Sequence, residues 1–182
     1  GVEVMLITSR DTGRWVLPKG WPEAREPLCE AAAREAFPQA TIVRPSILFG
    51  PEDRFVNRFA GLARMLPMLP ILRADVRFQP AYVQDVARAV AAAALDPAHH
   101  GGRTYELGGP QIFTMRALNE WIAQATGRDP AIIEIPDSLG RAMARFGGWL
   151  PGAPLTWDQW LMLQADNVAG ADASGFAAFE IA

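Results

Sequence analysis

The sequence has one cysteine, one lysine and no long hydrophobic run. Its 182 residues include only Cys29 as a possible disulfide partner, so no intramolecular disulfide can form, which agrees with a reducing compartment. The longest uninterrupted apolar run extends from Ala89 to Leu95, whereas a bilayer-spanning helix needs about 20 apolar residues. We therefore predict no transmembrane segment. The start of the sequence shows no secretory-signal pattern, so we expect a cytoplasmic protein.

Lysine is also scarce, because Lys19 is the only lysine against 16 arginines. Acidic residues slightly outnumber basic ones, and the formal net charge is -3. A dedicated nucleic-acid-binding protein gains its affinity from a basic surface. The mild acidity therefore predicts no nucleic-acid partner. Half of the residues are hydrophobic and a fifth are charged, which excludes wholesale disorder and indicates a globular protein.

The apolar residues predict short strands that alternate with helices. Strands over 2–8 and 14–17 predict a hairpin, and a helix over 27–36 follows, which Pro38 ends. Further strands are predicted at 41–43, 76–78, 104–107 and 132–135, and further helices over 55–66, 85–95, 114–126, 137–146 and 156–164. This order indicates an α/β fold. Small residues over 169–182 predict a flexible tail.

The loop and first helix carry a spacing that resembles a known motif. Gly20 is followed after five residues by Glu26, and Glu26 is followed after seven by Arg34 and Glu35. This resembles the first part of the Nudix box of Nudix hydrolases. The resemblance implies a Nudix-like hairpin and helix over 1–36, with Glu26 and Glu35 as remnants of the catalytic motif and Glu35 as a ligand of Mg²⁺.

The Nudix-like motif is incomplete, because Pro38–Gln39 stands where the resemblance places the next two metal ligands. We therefore interpret Glu26, Glu30, Arg34 and Glu35 as a solvated helix face with an i,i+4 pair between Glu30 and Arg34. The alternative is a Mg²⁺-dependent hydrolase of nucleoside or inositol diphosphates that uses Glu35, Glu26 and Glu30.

Four later segments, in order, resemble a different family. They contain Arg-Pro-Ser, Tyr-Val-Gln-Asp-Val-Ala, Tyr-Glu-Leu-Gly-Gly-Pro and Leu-Thr-Trp-Asp-Gln, within 41–53, 78–87, 105–110 and 155–168. They resemble the second half of atypical short-chain dehydrogenases of the epimerase/dehydratase superfamily, in particular the accessory subunit of respiratory complex I. The resemblance covers about 33–168 and implies part of a Rossmann-like sheet. It also implies a complex I-like assembly or a homo-oligomer, peripheral to the inner membrane.

The same resemblance implies a dinucleotide site directly after the strand at 41–43. The residues that would contact NAD(P) are Arg44, Pro45, Ser46 and Ile47. Arg44 has a structural alternative, which is an ion pair with Asp53 or Asp85. Asp85 itself fits the first turn of the following helix.

Two features of an active dehydrogenase are absent. No Gly-x-Gly-x-x-Gly turn occurs to receive a pyrophosphate. Neither Tyr82 nor Tyr105 lies four residues before a lysine, so no Tyr-x-x-x-Lys acid/base pair exists. We therefore predict a non-catalytic or weakly dinucleotide-binding protein. An NAD(P)-dependent oxidoreductase or epimerase fragment is the alternative.

The stretch at 31–36, Ala-Ala-Ala-Arg-Glu-Ala, suits both families. We interpret the chain as a chimera that changes family at this stretch, whether by natural, engineered or artefactual fusion. The predicted parts are a Nudix-like segment over 1–36, a dehydrogenase-like half over 37–168 and the tail over 169–182.

Overall fold

The computed structural model describes residues 7–8, 15–16, 28–53, 55–147 and 155–181, and these form helices and short strands in alternation. In chain order the elements are β1 (Ile7–Thr8), β2 (Trp15–Val16), α1 (Leu28–Ala36), β3 (Ile42–Pro45), β4 (Leu48–Phe49), α2 (Val56–Met65), β5 (Met68–Leu72), β6 (Arg77–Phe78), β7 (Ala81–Tyr82), α3 (Val83–Leu95), α4 (Pro97–His100), β8 (Thr104–Leu107), β9 (Phe113–Thr114), α5 (Met115–Ala125), β10 (Ala131–Ile135), α6 (Asp137–Gly147), α7 (Trp157–Met162) and a 3-10 turn (Phe176–Phe179). Among the described residues, none of the helices is long and apolar enough to cross a membrane.

The chain divides into two compact units, and the polypeptide crosses between them several times. Unit 1 takes Gly1–Leu48, Ala81–Gly109 and Ala169–Ala182, and unit 2 takes Phe49–Pro80 and Pro110–Val168. The boundary that we predicted at residue 36 therefore lies inside unit 1.

Unit 1 is built on the parallel pair of β3 and β8, in which Ile42 lies opposite Thr104 and Pro45 lies opposite Leu107. Helix α3 buries one face of small side chains, since its buried residues Val86, Ala89 and Ala93 recur at helical spacing. The unit 1 core consists of Ala81, Val86, Ala89, Tyr105 and Leu107.

Unit 2 is built on a second parallel pair, β5 with β10, in which Leu69 lies opposite Ile132 and Ile71 opposite Glu134. Leu69 and Ile71 are buried, which is the period-two alternation of a strand with one covered face. Near this sheet, Trp160 of α7 packs with α6 through a small buried cluster.

Most of the predicted elements are present. The N-terminal hairpin is confirmed by the antiparallel pairing of β1 with β2, and α1 ends at Ala36 as predicted. Asp85 lies in the first turn of α3. Strand β5 was not predicted, because Pro67 and Pro70 mark its segment as a break between elements.

The tail over 169–182 was predicted to be flexible, and its described residues instead form a packed segment. Phe176, Phe179 and Ile181 pack against the unit 1 core, and the 3-10 turn lies between them. Partial burial of these three apolar side chains stabilises the segment, which the surrounding small residues do not predict.

Candidate functional site

The four residues predicted to contact a dinucleotide lie at the carboxyl end of β3. The Ser46 backbone N–H donates to the Leu107 carbonyl at 3.0 Å, and the Ala81 N–H donates to the Ile47 carbonyl at 2.9 Å. In open parallel sheets, ligands bind in the crevice beyond the carboxyl ends of the strands. The structure therefore places Pro45, Ser46 and Ile47 at an end of the sheet where such a ligand would bind.

Arg44 is held by two carboxylates from different elements of unit 1. Its Nε and Nη2 donate to Glu30 of α1 at 3.0 and 2.7 Å, and its Nη1 donates to Glu106 of β8 at 3.1 Å. The Glu30 contact is bidentate, which is the strongest form of arginine–carboxylate pairing. Arg44 thus ties helix α1 to both strands of the parallel pair.

Burial makes this cluster costly to disturb. The Glu30 side chain is 0% exposed and the Arg44 side chain is 21% exposed. The pKa of Arg44 is raised above its ordinary value, mainly by its hydrogen bond to Glu30, against an opposing effect of burial, with Glu106 adding to the rise. Arg44 therefore remains charged and can pair with the buried Glu30 side chain.

The predicted ion pair of Arg44 exists, but its partners are not Asp53 or Asp85. Asp53 accepts a hydrogen bond from the Val56 N–H at the start of α2. Asp85 pairs with Arg88 one turn further along α3. Both aspartates serve their own helices, which is the ordinary role of an acid in a first turn.

The solvated helix face predicted for α1 is wrong at Glu30, which is buried against Arg44. Glu35 is exposed as predicted. Arg34 donates to the Gly102 carbonyl at 3.2 Å and to the Thr104 hydroxyl, and so reaches β8. Glu26 lies outside the described residues.

Glu106 was missed by the sequence reasoning, although a signal was available. Tyr105 and Leu107 are buried on one face of β8, so the period of two places Glu106 on the opposite face. The parallel register then sets Glu106 beside Arg44. Because the pairing of these two strands was not predicted, the charge complementarity between them was not recognised.

A bound dinucleotide fits this site only in part. The hydrogen bonds of Arg44 run to two carboxylates, so the cluster holds one more carboxylate than guanidinium and does not attract a phosphate. The half-buried Pro45, Ser46 and Ile47 could still contact a ribose or nicotinamide. Within the part of the chain that the structure describes, no group of three or more His, Cys, Asp or Glu could hold a metal ion.

Unit 2 has a cleft of its own at the carboxyl ends of β5 and β10. The cleft has a volume of about 540 Å³ and is lined by Arg73 to Val76, Glu134, Asp137 and Gln164 to Asp166. Arg73 has a left-handed backbone with φ of 52°, and its guanidinium lies 3.8 Å from the Asp137 carboxylate. Its charged lining residues are mainly acidic, which disfavours a phosphate in this cleft.

No protein-family model matches the chain, but curated relatives do. The chain is 39% identical over 116 residues to NADH dehydrogenase (ubiquinone) 1 alpha subcomplex subunit 9, mitochondrial, of Arabidopsis thaliana. This match covers 63% of this chain and 29% of that protein. It is 34% identical over 129 residues to the protein of the same name from Rattus norvegicus, which covers 70% of this chain and 34% of that protein. The chain thus spans about a third of the length of these relatives.

A solved structure shares the fold. A dTDP-4-dehydrorhamnose reductase from Clostridium acetobutylicum superposes with a TM-score of 0.52 at 18% identity, over 83% of this chain and 50% of that one. The parallel strand pairs and this likeness agree with the predicted α/β class. The predicted resemblance to dehydrogenase-like subunits of complex I is confirmed by the relatives, whereas the Nudix resemblance finds no support among them. Over the matched residues, the chain shares the Rossmann-type α/β fold of this reductase.

Proposed function

We propose that this chain is a non-catalytic, dehydrogenase-like subunit of a respiratory assembly of the complex I type. The single observation that carries this proposal is the 39% identity, over 116 residues, with a protein named as a subunit of NADH dehydrogenase. Identity at this level over 63% of this chain supports a role shared with that subunit. In this role the chain is peripheral to the inner membrane.

Weak dinucleotide binding is a second part of the proposal. Pro45, Ser46 and Ile47 offer contacts at the carboxyl end of β3, while Arg44 is committed to Glu30 and Glu106. Without a glycine-rich turn at a helix N-terminus, the pyrophosphate lacks its usual backbone donors. We therefore expect NAD(P) to bind loosely, and we expect no hydride transfer.

The hydrolase alternative is not favoured by the geometry of α1. A Mg²⁺ ion bridging a diphosphate needs several carboxylates that face one ion. Glu30 points to Arg44 with a side chain that is 0% exposed, while Glu35 is exposed. The Glu30 and Glu35 carboxylates, two of the three that this alternative requires, therefore do not face one ion.

Co-migration tests the proposed assembly. The tagged full chain, expressed in the cells from which it derives, is followed through a density gradient of detergent-solubilised membranes. We expect it to peak with NADH:ubiquinone oxidoreductase activity and to leave that peak when the complex is dissociated with chaotropic salt. A chain that stays at the top of the gradient under all conditions contradicts the proposal.

A further inference from the structure

Helices α6 and α7 of unit 2 pack together and leave several large apolar side chains exposed. They meet around a small cluster that includes the buried Ala144 and Trp160. The exposed apolar residues of this pair are Leu139, Phe146, Trp157, Leu161 and Met162. We call the exposed residues of the two helices the α6–α7 surface. Exposed apolar side chains grouped in this way are typical of a surface that contacts a protein partner or a membrane.

Two arginines of α6 give this surface positive charge. Arg141 and Arg145 are exposed and lie one turn apart on one side of the helix. Neither has a carboxylate partner among the residues that the structure describes. The acid in the first turn, Asp137, already accepts a hydrogen bond from the Trp160 indole and lies 3.8 Å from the Arg73 guanidinium. The two arginines therefore favour an anionic partner.

The apolar and basic side chains occupy different sides of α6. Gly140 and Ala144 form its buried side. Leu139 and Phe146 are seven residues apart and share a second side, since each residue advances the helix by about 100°. The two arginines lie on a third side. A helix with large apolar residues on one exposed side and arginines on another is typical of helices that lie in the plane of a membrane surface.

Aromatic rings continue the surface onto α7. The Trp157 ring stacks on Trp160 with centroids 4.9 Å apart and an interplanar angle of 27°, and it remains 37% exposed. The Arg141 guanidinium lies over the other ring of this stack, with Cζ 5.9 Å from the Trp160 centroid. Tryptophan is enriched at membrane–water boundaries because its apolar ring carries one polar N–H. Arginine at this depth contacts headgroups while its stem packs on apolar surface.

We propose that the α6–α7 surface binds the surface of an anionic phospholipid bilayer. Phe146 and Trp157 enter the boundary of the acyl chains, and the guanidinium groups of Arg141 and Arg145 contact lipid phosphates. The contact extends the peripheral position given in the proposed function. Vesicle binding by the purified chain needs no protein assembly, so this inference and the assembly proposal can fail separately.

Vesicle sedimentation with matched variants tests the contact. We expect the purified full chain to sediment with vesicles of phosphatidylcholine and phosphatidylglycerol, and to bind pure phosphatidylcholine or high-salt samples much more weakly. Arg145→Gln should weaken binding by about fivefold, and Phe146→Ala, at a site that is 72% exposed, by at least about fivefold. Arg128→Gln and Met65→Ala are the controls, because both residues are exposed elsewhere in unit 2, and should change binding by less than about twofold.

Fluorescence quenching by the lipid locates the contact within the chain. With vesicles whose acyl chains carry bromine, we expect quenching of tryptophan fluorescence that Trp157→Phe reduces more than Trp121→Phe does. Trp121 is the matched control because it is 51% exposed on α5 of the same unit. A chain that does not sediment with anionic vesicles overturns the proposal and favours a protein partner for this surface. Binding that Arg145→Gln and Phe146→Ala leave unchanged, or quenching that follows Trp121 instead, also overturns it.

Discussion

At the residue scale, Arg44 is the centre of the described site. It neutralises Glu30, whose side chain is 0% exposed, and a buried charge without a partner is among the costliest defects in a folded protein. The resemblance of Arg44-Pro-Ser to the dehydrogenase family implies a dinucleotide site here, in which Arg44 would brace the strand end or meet a phosphate. The structure gives its guanidinium a structural function, in which it joins α1 to β3 and β8.

Removing the Arg44 guanidinium should destabilise the chain strongly. We expect Arg44→Met to lower the free energy of unfolding by about 3 kcal/mol, since it leaves Glu30 buried and unpaired. Arg88→Met is the matched control, because Arg88 is 68% exposed in its pair with Asp85 and should change stability by less than about 1 kcal/mol. Urea unfolding followed by circular dichroism measures both.

A double variant separates charge burial from simple loss of contacts. Glu30→Met combined with Arg44→Met removes both charges, and should recover part of the stability that Arg44→Met loses. If Arg44→Met unfolds at the same urea concentration as Arg88→Met, Arg44 does not have the structural role assigned to it.

The sequence predicted an ion pair for Arg44 but not its partners, for a physical reason. Glu30 precedes Arg44 by 14 residues, and its burial depends on how α1 packs on β3. The local pattern of α1, with Glu30 and Arg34 one turn apart, equally suits a solvated face. Tertiary packing decides between the two, and one sequence does not contain that information.

At the scale of elements, strand β6 is tied to the segment that follows α7. The Arg77 N–H and side chain both bond the Asp166 carboxylate, with Nη2 to Oδ2 at 2.7 Å. The pKa of Asp166 is lowered from its ordinary value, first by the hydrogen bond from the Arg77 backbone and then by the one from its side chain. The ionised form of Asp166 therefore stabilises the fold.

This pair should give a measurable dependence of stability on pH. Because the folded-state pKa of Asp166 is depressed, its contribution is present above the unfolded-state pKa of about 3.9 and is lost as the pH falls toward the folded-state value. Asp166→Asn should lower stability at pH 7 by no more than about 1 kcal/mol, since the pair is exposed. The difference in Tm between wild type and variant should shrink from pH 6 to pH 3, and a difference that stays constant contradicts the assignment.

Elements with strong local signals were predictable, and those that depend on tertiary pairing were not. Helix α5 begins at the predicted position, where the Thr114 side chain accepts from the Ala117 N–H as an N-cap. Strand β5 contains Pro70, which indicates a break, yet it pairs in parallel with β10. A proline is tolerated in a strand that has an unpaired side, and β5 has a single partner among the described strands. The packing of the segment at 169–181 was not predicted, because small residues surround Phe176 and Phe179 in the sequence.

At the scale of the whole molecule, the chain shares a Rossmann-type α/β fold with part of a structurally similar reductase. It corresponds to about a third of its curated relatives and half of a structurally similar reductase. The sequence shows no glycine-rich pyrophosphate turn and no Tyr-x-x-x-Lys pair. The fold class and the resemblance to the relatives were predictable because their signals are spread over many residues. The pairing of Arg44, in contrast, depends on two specific contacts, with Glu30 and Glu106.

The most direct test of this account is a titration of the full chain with NADPH and NADH, followed by calorimetry and by nicotinamide fluorescence. We predict dissociation constants weaker than about 0.1 mM, because the sequence has no glycine-rich turn to hold the pyrophosphate and the Arg44 cluster has an excess of carboxylate. A bulky Ser46→Phe change should weaken the residual binding further. Tight saturable binding in the micromolar range, or oxidation of NADPH with a carbonyl substrate, would contradict the central proposal that this chain is a non-catalytic relative of the dehydrogenases.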